Sequence, residues 1–173
     1  MSSRLFKSGR GFTLIELVVV ITIIALLATA LANRVLFYQE QAERTALMEV
    51  EAAIQSELVM KYGHLLAIGS EAQLSSLATE NPMSWLAKAP RNYAGEFYDP
   101  LPAALPPGNW AFDLKARELV YLPDRTDNFS PAVEGEKWIR YRIRLLYEPV
   151  PGASVKTLAG ALFEPVKPYR WLD

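Results

Sequence analysis

Residues 12–32 read FTLIELVVVITIIALLATALA, and no other stretch constrains the fold of the chain as strongly. Only Thr13, Glu16, Thr22 and Thr29 interrupt the apolar side chains. A helix of that length spans about 31 Å, the thickness of a bilayer's hydrocarbon core. The segment before it, MSSRLFKSGRG, carries Arg4, Lys7 and Arg10 and no acid; Arg34 ends the run on the far side. Positive charge on a short N-terminal segment stays cytoplasmic, so the C-terminal part is expected outside. A secretory signal peptide has a shorter apolar core that ends in small residues. This run is longer and continues as helix. A plain signal anchor fits the length but has no use for Glu16. A carboxylate inside an apolar span is costly and ordinarily has a partner.

The helix is predicted to continue beyond the apolar run. Residues 33–62 contain neither Pro nor Gly. Leu47, Val50, Ile54, Leu58 and Tyr62 recur at helical spacing, a stripe that suits packing against a head domain. Charges are placed on the other faces, with Glu40–Arg44 and Glu57–Lys61 as i,i+4 pairs. Gly63 is the predicted stop. From Phe12 this makes one helix of about 50 residues, roughly 75 Å long.

Ser70-Glu-Ala-Gln73 has the form of a capping box and predicts a short helix to Thr79. Asn81-Pro82 starts another turn through Trp85 and Leu86. Residues 87–109 hold five prolines, with Gly108 among them, and are expected to be a long loop. Trp110–Asp113 and Glu118–Leu122 form a predicted hairpin around Leu114–Arg117, and Pro123–Glu136 is turn-rich. Lys137–Tyr147 alternates, with Ile139, Tyr141, Ile143 and Leu145 on one face and Trp138, Arg140, Arg142 and Arg144 on the other. Residues 148–173 are expected to end in an extended segment anchored by Tyr169 and Trp171.

The N-terminal string GFTLIELVVVITIIALLATAL resembles the signature of the type IV pilin and type II secretion pseudopilin superfamily. In that signature a basic leader ends in Gly, Phe usually follows, and a Glu comes four positions later. Gly11, Phe12 and Glu16 occupy those positions. The resemblance implies cleavage between Gly11 and Phe12 by prepilin peptidase and N-methylation of the Phe12 amine. It also implies that Glu16 meets the amine of a neighbouring subunit, a pairing of opposite charges in low dielectric that sets axial register. The implied fold is α+β and pilin-like, a long N-terminal helix packed on a small antiparallel β-sheet head. The implied layout is a leader at 1–11, a membrane and filament-core helix at 12–32, its amphipathic continuation at 33–64, and a periplasmic head at 65–173. Implied partners are other pilin or pseudopilin subunits, prepilin peptidase and an inner-membrane assembly platform. The implied location is the inner membrane, single-pass, and then the pilus or pseudopilus. The Trp-x-Phe-Asp hairpin is similar to that of minor pilins. The chain lacks the paired C-terminal cysteines of many major pilins and the Asp-Pro-Trp-Gly type segment of major pseudopilins. A minor subunit, such as one of a mannose-sensitive haemagglutinin type pilus, is therefore the expected kind.

Outside the N-terminus the chemistry is sparse. There is no Cys and one His, His64, so thiolate sites and two-histidine metal sites are excluded. Lys+Arg (18) nearly balance Asp+Glu (19), which gives no whole-chain attraction for nucleic acid. Arg140, Arg142 and Arg144 form a stripe that would suit DNA or another anionic surface ligand. The competing reading is a solvated strand face, neutralised in part by Glu134, Glu136 and Glu148. Asp124, Asp127 and Asn128 offer oxygen ligands at short spacing, as a calcium loop does, although turns favour the same residues. His64 suits a structural place near a helix end. No nucleophile–base pairing or phosphate loop appears, so a non-enzymatic subunit without a cofactor is expected.

Overall fold

The computed structural model describes residues 12–131, 133, 135, 138–149 and 156–172. Its element order is α1 (Leu14–Ala67), α2 (Glu71–Ser76), a 3₁₀ turn (Pro82–Trp85), β1 (Tyr93–Phe97), a second 3₁₀ turn (Pro102–Ala104), β2 (Asn109–Asp113), β3 (Glu118–Leu122), β4 (Phe129–Ser130), β5 (Ile139–Pro149), β6 (Lys156–Pro165) and β7 (Arg170–Trp171). The chain is α+β, a long N-terminal helix with a sheet packed on it, and the layout is pilin-like. It divides into two units, Met1–Gln39 and Glu40–Asp173, so α1 contributes residues to both.

In the first unit the helix is bare. Every described side chain from Phe12 to Gln39 is exposed. Over 18 residues the apolar run reaches a mean hydropathy of 2.8, and none of those residues is buried.

In the second unit the predicted stripe is the packing seam. Leu47, Ile54 and Leu58 are buried, and Val50 and Tyr62 pack beside them. Period-2 alternation supplies the opposing surface. Trp110 pairs with Tyr121 and Phe112 with Leu119, and Leu119 and Tyr121 pair in turn with Tyr141 and Ile139. All six side chains face α1 and are almost fully buried. Burying each stabilises the fold by about 1.5–3 kcal/mol before entropy is charged against it.

The helix runs one turn further than Gly63 and ends at Ala67. The stop comes from Gly69, which takes a left-handed φ of 69°. Ser70 N–H then donates to Leu65 O at 3.0 Å and Gly69 N–H to Leu66 O at 3.1 Å, a Schellman closure. That closure also undoes the expected capping box. The Ser70 N–H that Gln73 should have taken is already spent, the Ser70 side chain makes no cap hydrogen bond, and α2 ends at Ser76. The Asn81 cap forms as predicted, its side chain accepting from Met83 N–H.

The sheet departs from the expected small antiparallel set. It has five strands in the order β1-β2-β3-β5-β6, and β4 and β7 form a separate pair. The added strand is β1, inside the segment expected to be loop, and it runs parallel to β2. Its sequence, Tyr-Ala-Gly-Glu-Phe, hides a strand because Gly95 sits at a bulge with φ +109°. Parallel neighbours need a crossover. Residues 98–108 provide it by passing over the sheet face opposite α1, where Leu105 packs on Ala111 and Leu122 beside Phe97 and Trp138. The opposite edge, β6, is sealed by α1: Phe163 N–H donates to Gln55 at 2.8 Å, and Tyr62 O–H donates to Leu158 O at 3.0 Å.

Candidate functional site

Gly11 and the leader lie outside the described residues, and so does the bond expected to be cut. From Phe12 onward the geometry is visible. Thr13 precedes the first helical residue and its Oγ1 accepts the Glu16 N–H at 3.3 Å, capping the helix start. The other polar groups of the run are spent within the helix. Thr22 donates to Val18 O at 2.8 Å and Thr29 to Ala25 O at 2.9 Å. Among the described residues no hydrogen bond or ion pair reaches the Glu16 carboxylate. Glu16 is thus an acid in the first helical turn, exposed on an apolar helix segment.

A second acidic set departs from expectation. Glu40, expected with Arg44 on a solvent face, is 1% exposed. Its carboxylate accepts from Asn128 N–H at 2.9 Å, Asn128 Nδ2 at 2.7 Å and Trp171 Nε1 at 2.8 Å. Glu43 accepts from Tyr121 O–H at 2.8 Å and from the N–H groups of Asp124 (2.7 Å) and Arg125 (2.9 Å). Glu51 accepts from the hydroxyls of Tyr141 and Tyr169. Three helix carboxylates thus hold the β3–β4 loop and the C-terminal segment. A signal was present: Glu40 stands seven residues before Leu47, and Glu43 and Glu51 stand four to either side of it. All three therefore continue the buried stripe.

Their environments differ electrostatically. Burial pushes the Glu40 carboxyl up, but hydrogen bonds from Asn128 and Trp171 and the Arg125 charge outweigh it and leave the group below its ordinary 4.5. For Glu51 burial dominates, and its carboxyl stays above the ordinary range despite the two tyrosines. Burial, reinforced by the facing carboxylates, also raises Tyr121 and Tyr141, and Tyr169 is pushed up to about 12.

The arginine stripe is largely committed. Arg140 bridges Asp113 (3.1 Å) and Glu118 (2.9 Å) and lies over the Trp138 ring at 4.5 Å. Arg144 grips Glu164 through two nitrogens, at 2.6 and 2.9 Å. The acids pairing with Arg140 and Arg144 are Asp113, Glu118 and Glu164; Glu134 and Glu136 lie outside the described residues. Arg142 is exposed. In the loop with the calcium-like spacing, Asp124 and Asn128 donate backbone N–H groups to Glu43 and Glu40, and Asp127 is exposed. Among the described residues no group of three or more His, Asp or Glu converges as a metal set would. His64 lies in the last turn of α1, and Lys61, expected to pair with Glu57, reaches Glu80 at 3.3 Å.

Residues 7–32 match the prokaryotic N-terminal methylation motif. The chain therefore carries the precursor signature of type IV pilins and pseudopilins at the same place as its bare apolar helix. Neither the curated proteins nor the solved structures gave a match to it.

Proposed function

We propose that the protein is a non-enzymatic, minor subunit of a type IV pilus or a type II secretion pseudopilus. One observation carries the reading: the methylation motif at residues 7–32 overlaps the N-terminal segment of α1, where every described apolar side chain is exposed. Such a surface needs a bilayer or other helices around it. In this reading prepilin peptidase cuts between Gly11 and Phe12, and the new Phe12 amine is methylated. The uncut and cut forms are held in the inner membrane by one span, with the head in the periplasm. The assembly platform then moves the subunit into a filament, where Glu16 faces a neighbour's amine. Arg140 and Arg144 are engaged within the head, which supports a structural role for the stripe over ligand capture.

The test is the mass of the N-terminal peptide after coexpression with a prepilin peptidase. The expected peptide begins at Phe12 and carries one added methyl group. A chain that keeps residues 1–11, or is cut at another bond, would overturn the reading.

A further inference from the structure

We propose that Ala30, Arg34, Phe37 and Tyr38 form a docking site for the phosphate headgroup of an anionic phospholipid, in the leaflet where the helix leaves the membrane. The proposal rests on the membrane-anchored reading above and adds a lipid-selective site to it.

The four residues share one helix face, spaced by four, three and one. They line an open notch of about 350 Å³. The short Ala30 side chain leaves the space, and Arg34 stands one turn above it. Phe37 and Tyr38 close the far side, 43% and 57% exposed, with ring centroids 6.0 Å apart and planes at 63°. All four belong to the first unit and are exposed.

Length and charge identify the occupant. From Leu14 to Ala32 the helix rises about 28 Å, close to a hydrocarbon core's thickness, so the notch falls at the level of the headgroups. Arg34 is the first cation after the run. A guanidinium pairs with phosphate through two parallel hydrogen bonds, and its stem can lie along apolar surface while the charge reaches water. Phe37 and Tyr38 are aromatic at that same depth, where such rings settle between acyl chains and headgroups. A second copy of this chain would bring the same unpaired charge to the same place.

The experiment uses the full chain in phosphatidylcholine vesicles doped with spin-labelled phosphatidylglycerol or spin-labelled phosphatidylcholine. The quantity read is the share of each label that is motionally restricted. The expected result is a preference for phosphatidylglycerol about fivefold greater in wild type than in Arg34→Gln, the size one basic residue contributes at an anionic surface. Arg34→Gln should keep only the share due to the leader's Arg4, Lys7 and Arg10 at the other face, and Arg34→Lys should keep part of the difference. Because the chain has no Cys, Leu31→Cys carries a single spin label that reports a neighbouring copy by line broadening. A wild-type chain without preference, or a preference unchanged in Arg34→Gln, overturns the proposal. So does broadening that shows a second copy on this face. Release of the wild-type chain by alkaline carbonate overturns the anchored reading and this proposal with it. Carbonate resistance without lipid preference overturns this proposal alone.

Discussion

The Glu40 carboxylate accepts a 2.8 Å hydrogen bond from the Trp171 indole, joining the helix to a residue 131 positions later. Trp171 is 1% exposed and pairs with Phe129 across β4 and β7. Leu172 N–H reaches Asn128 O at 3.2 Å. The C-terminal segment, the β3–β4 loop and Glu40 therefore form one connected polar lock at the first helix residue of the second unit.

Glu40→Ala should destabilise the chain by about 2–3 kcal/mol, because it strands the buried Trp171 indole N–H and removes the acceptor of two part-buried Asn128 donors. Glu40→Gln should cost about half as much. Its carbonyl can still accept from Trp171, and the Asn128 amide can turn to meet its NH₂. Urea unfolding of the detergent-solubilised chain, followed by tryptophan fluorescence, measures both. A midpoint for Glu40→Ala equal to wild type would show that the lock is not under load.

The acid limb of stability has a predictable sign. Glu40 is held below 4.5 when folded, so its contribution is complete above 4.5 and is lost as pH falls through the lower folded value. Glu51 runs the other way. Its folded value is raised, so it favours the fold below 4.5 and that favour is lost as pH rises through the folded value. Urea midpoints taken across the acid range should fall less steeply below 4.5 in Glu40→Gln than in wild type. In Glu51→Gln the change should lie above 4.5. Parallel curves for wild type and both variants would refute these assignments.

Arg140 and Arg142 are neighbours on one strand face with different duties. Asp113 is 1% exposed, and its carboxyl is held low by the Ala116 and Lys115 N–H groups and by Arg140, against the push of burial. Removing Arg140 leaves that carboxylate short of its counter-charge, a loss of about 3–5 kcal/mol for a buried pair. Arg142→Ala should change stability by less than about 0.5 kcal/mol. Thermal unfolding of the two variants separates these cases. Equal, small effects would mean that Arg140 is free for another role.

The helix seam, the hairpin and the β5 alternation were legible because each rests on a period: Leu47, Ile54 and Leu58 for the helix, Ile139, Tyr141 and Ile143 for the strand. The N-terminal signature was legible because Glu16 violates the solvent its neighbours require. Other features were hidden by competing interactions. Gly63 looked like a stop, but a glycine ends a helix only where the backbone turns left-handed, and Gly69 does so. Glu40, Glu43 and Glu51 looked solvated because a carboxylate usually is. Glu40 and Glu43 are held by N–H donors from a loop more than 80 residues away, and Glu51 by the Tyr141 and Tyr169 hydroxyls. Strand β1 was hidden because its pairing is parallel and its middle residue is Gly95.

Processing depends on residue 11. Gly11→Val should leave only the full-length form on immunoblots, since a β-branched side chain replaces hydrogen at the bond to be cut. The head should fold as before. A normal mature N-terminus in that variant would remove the prepilin reading.

Glu16 tests assembly apart from processing. Its carboxylate has no partner among the described residues, while Thr13 caps the same helical turn through the Glu16 N–H. If the partner is a neighbour's Phe12 amine, Glu16→Ala leaves that amine without its counter-charge next to apolar surface. Losing one side of a buried ion pair costs about 3–5 kcal/mol, against about 1 kcal/mol or less for an exposed pair. A penalty of that size lowers incorporation by at least a hundredfold, since each 1.4 kcal/mol is a factor of ten. Leader removal should persist, because the cut bond follows Gly11. Cross-linking in the membrane should then show mature protein that no longer joins other subunits. Glu16→Gln should be nearly as impaired, as it keeps the shape and loses the charge. A plain membrane anchor makes the opposite prediction: deleting a charge from an apolar span improves the anchor and changes nothing else. Wild-type incorporation of Glu16→Ala would therefore refute the pairing and leave this subunit to enter filaments by a contact that needs no neighbour's amine.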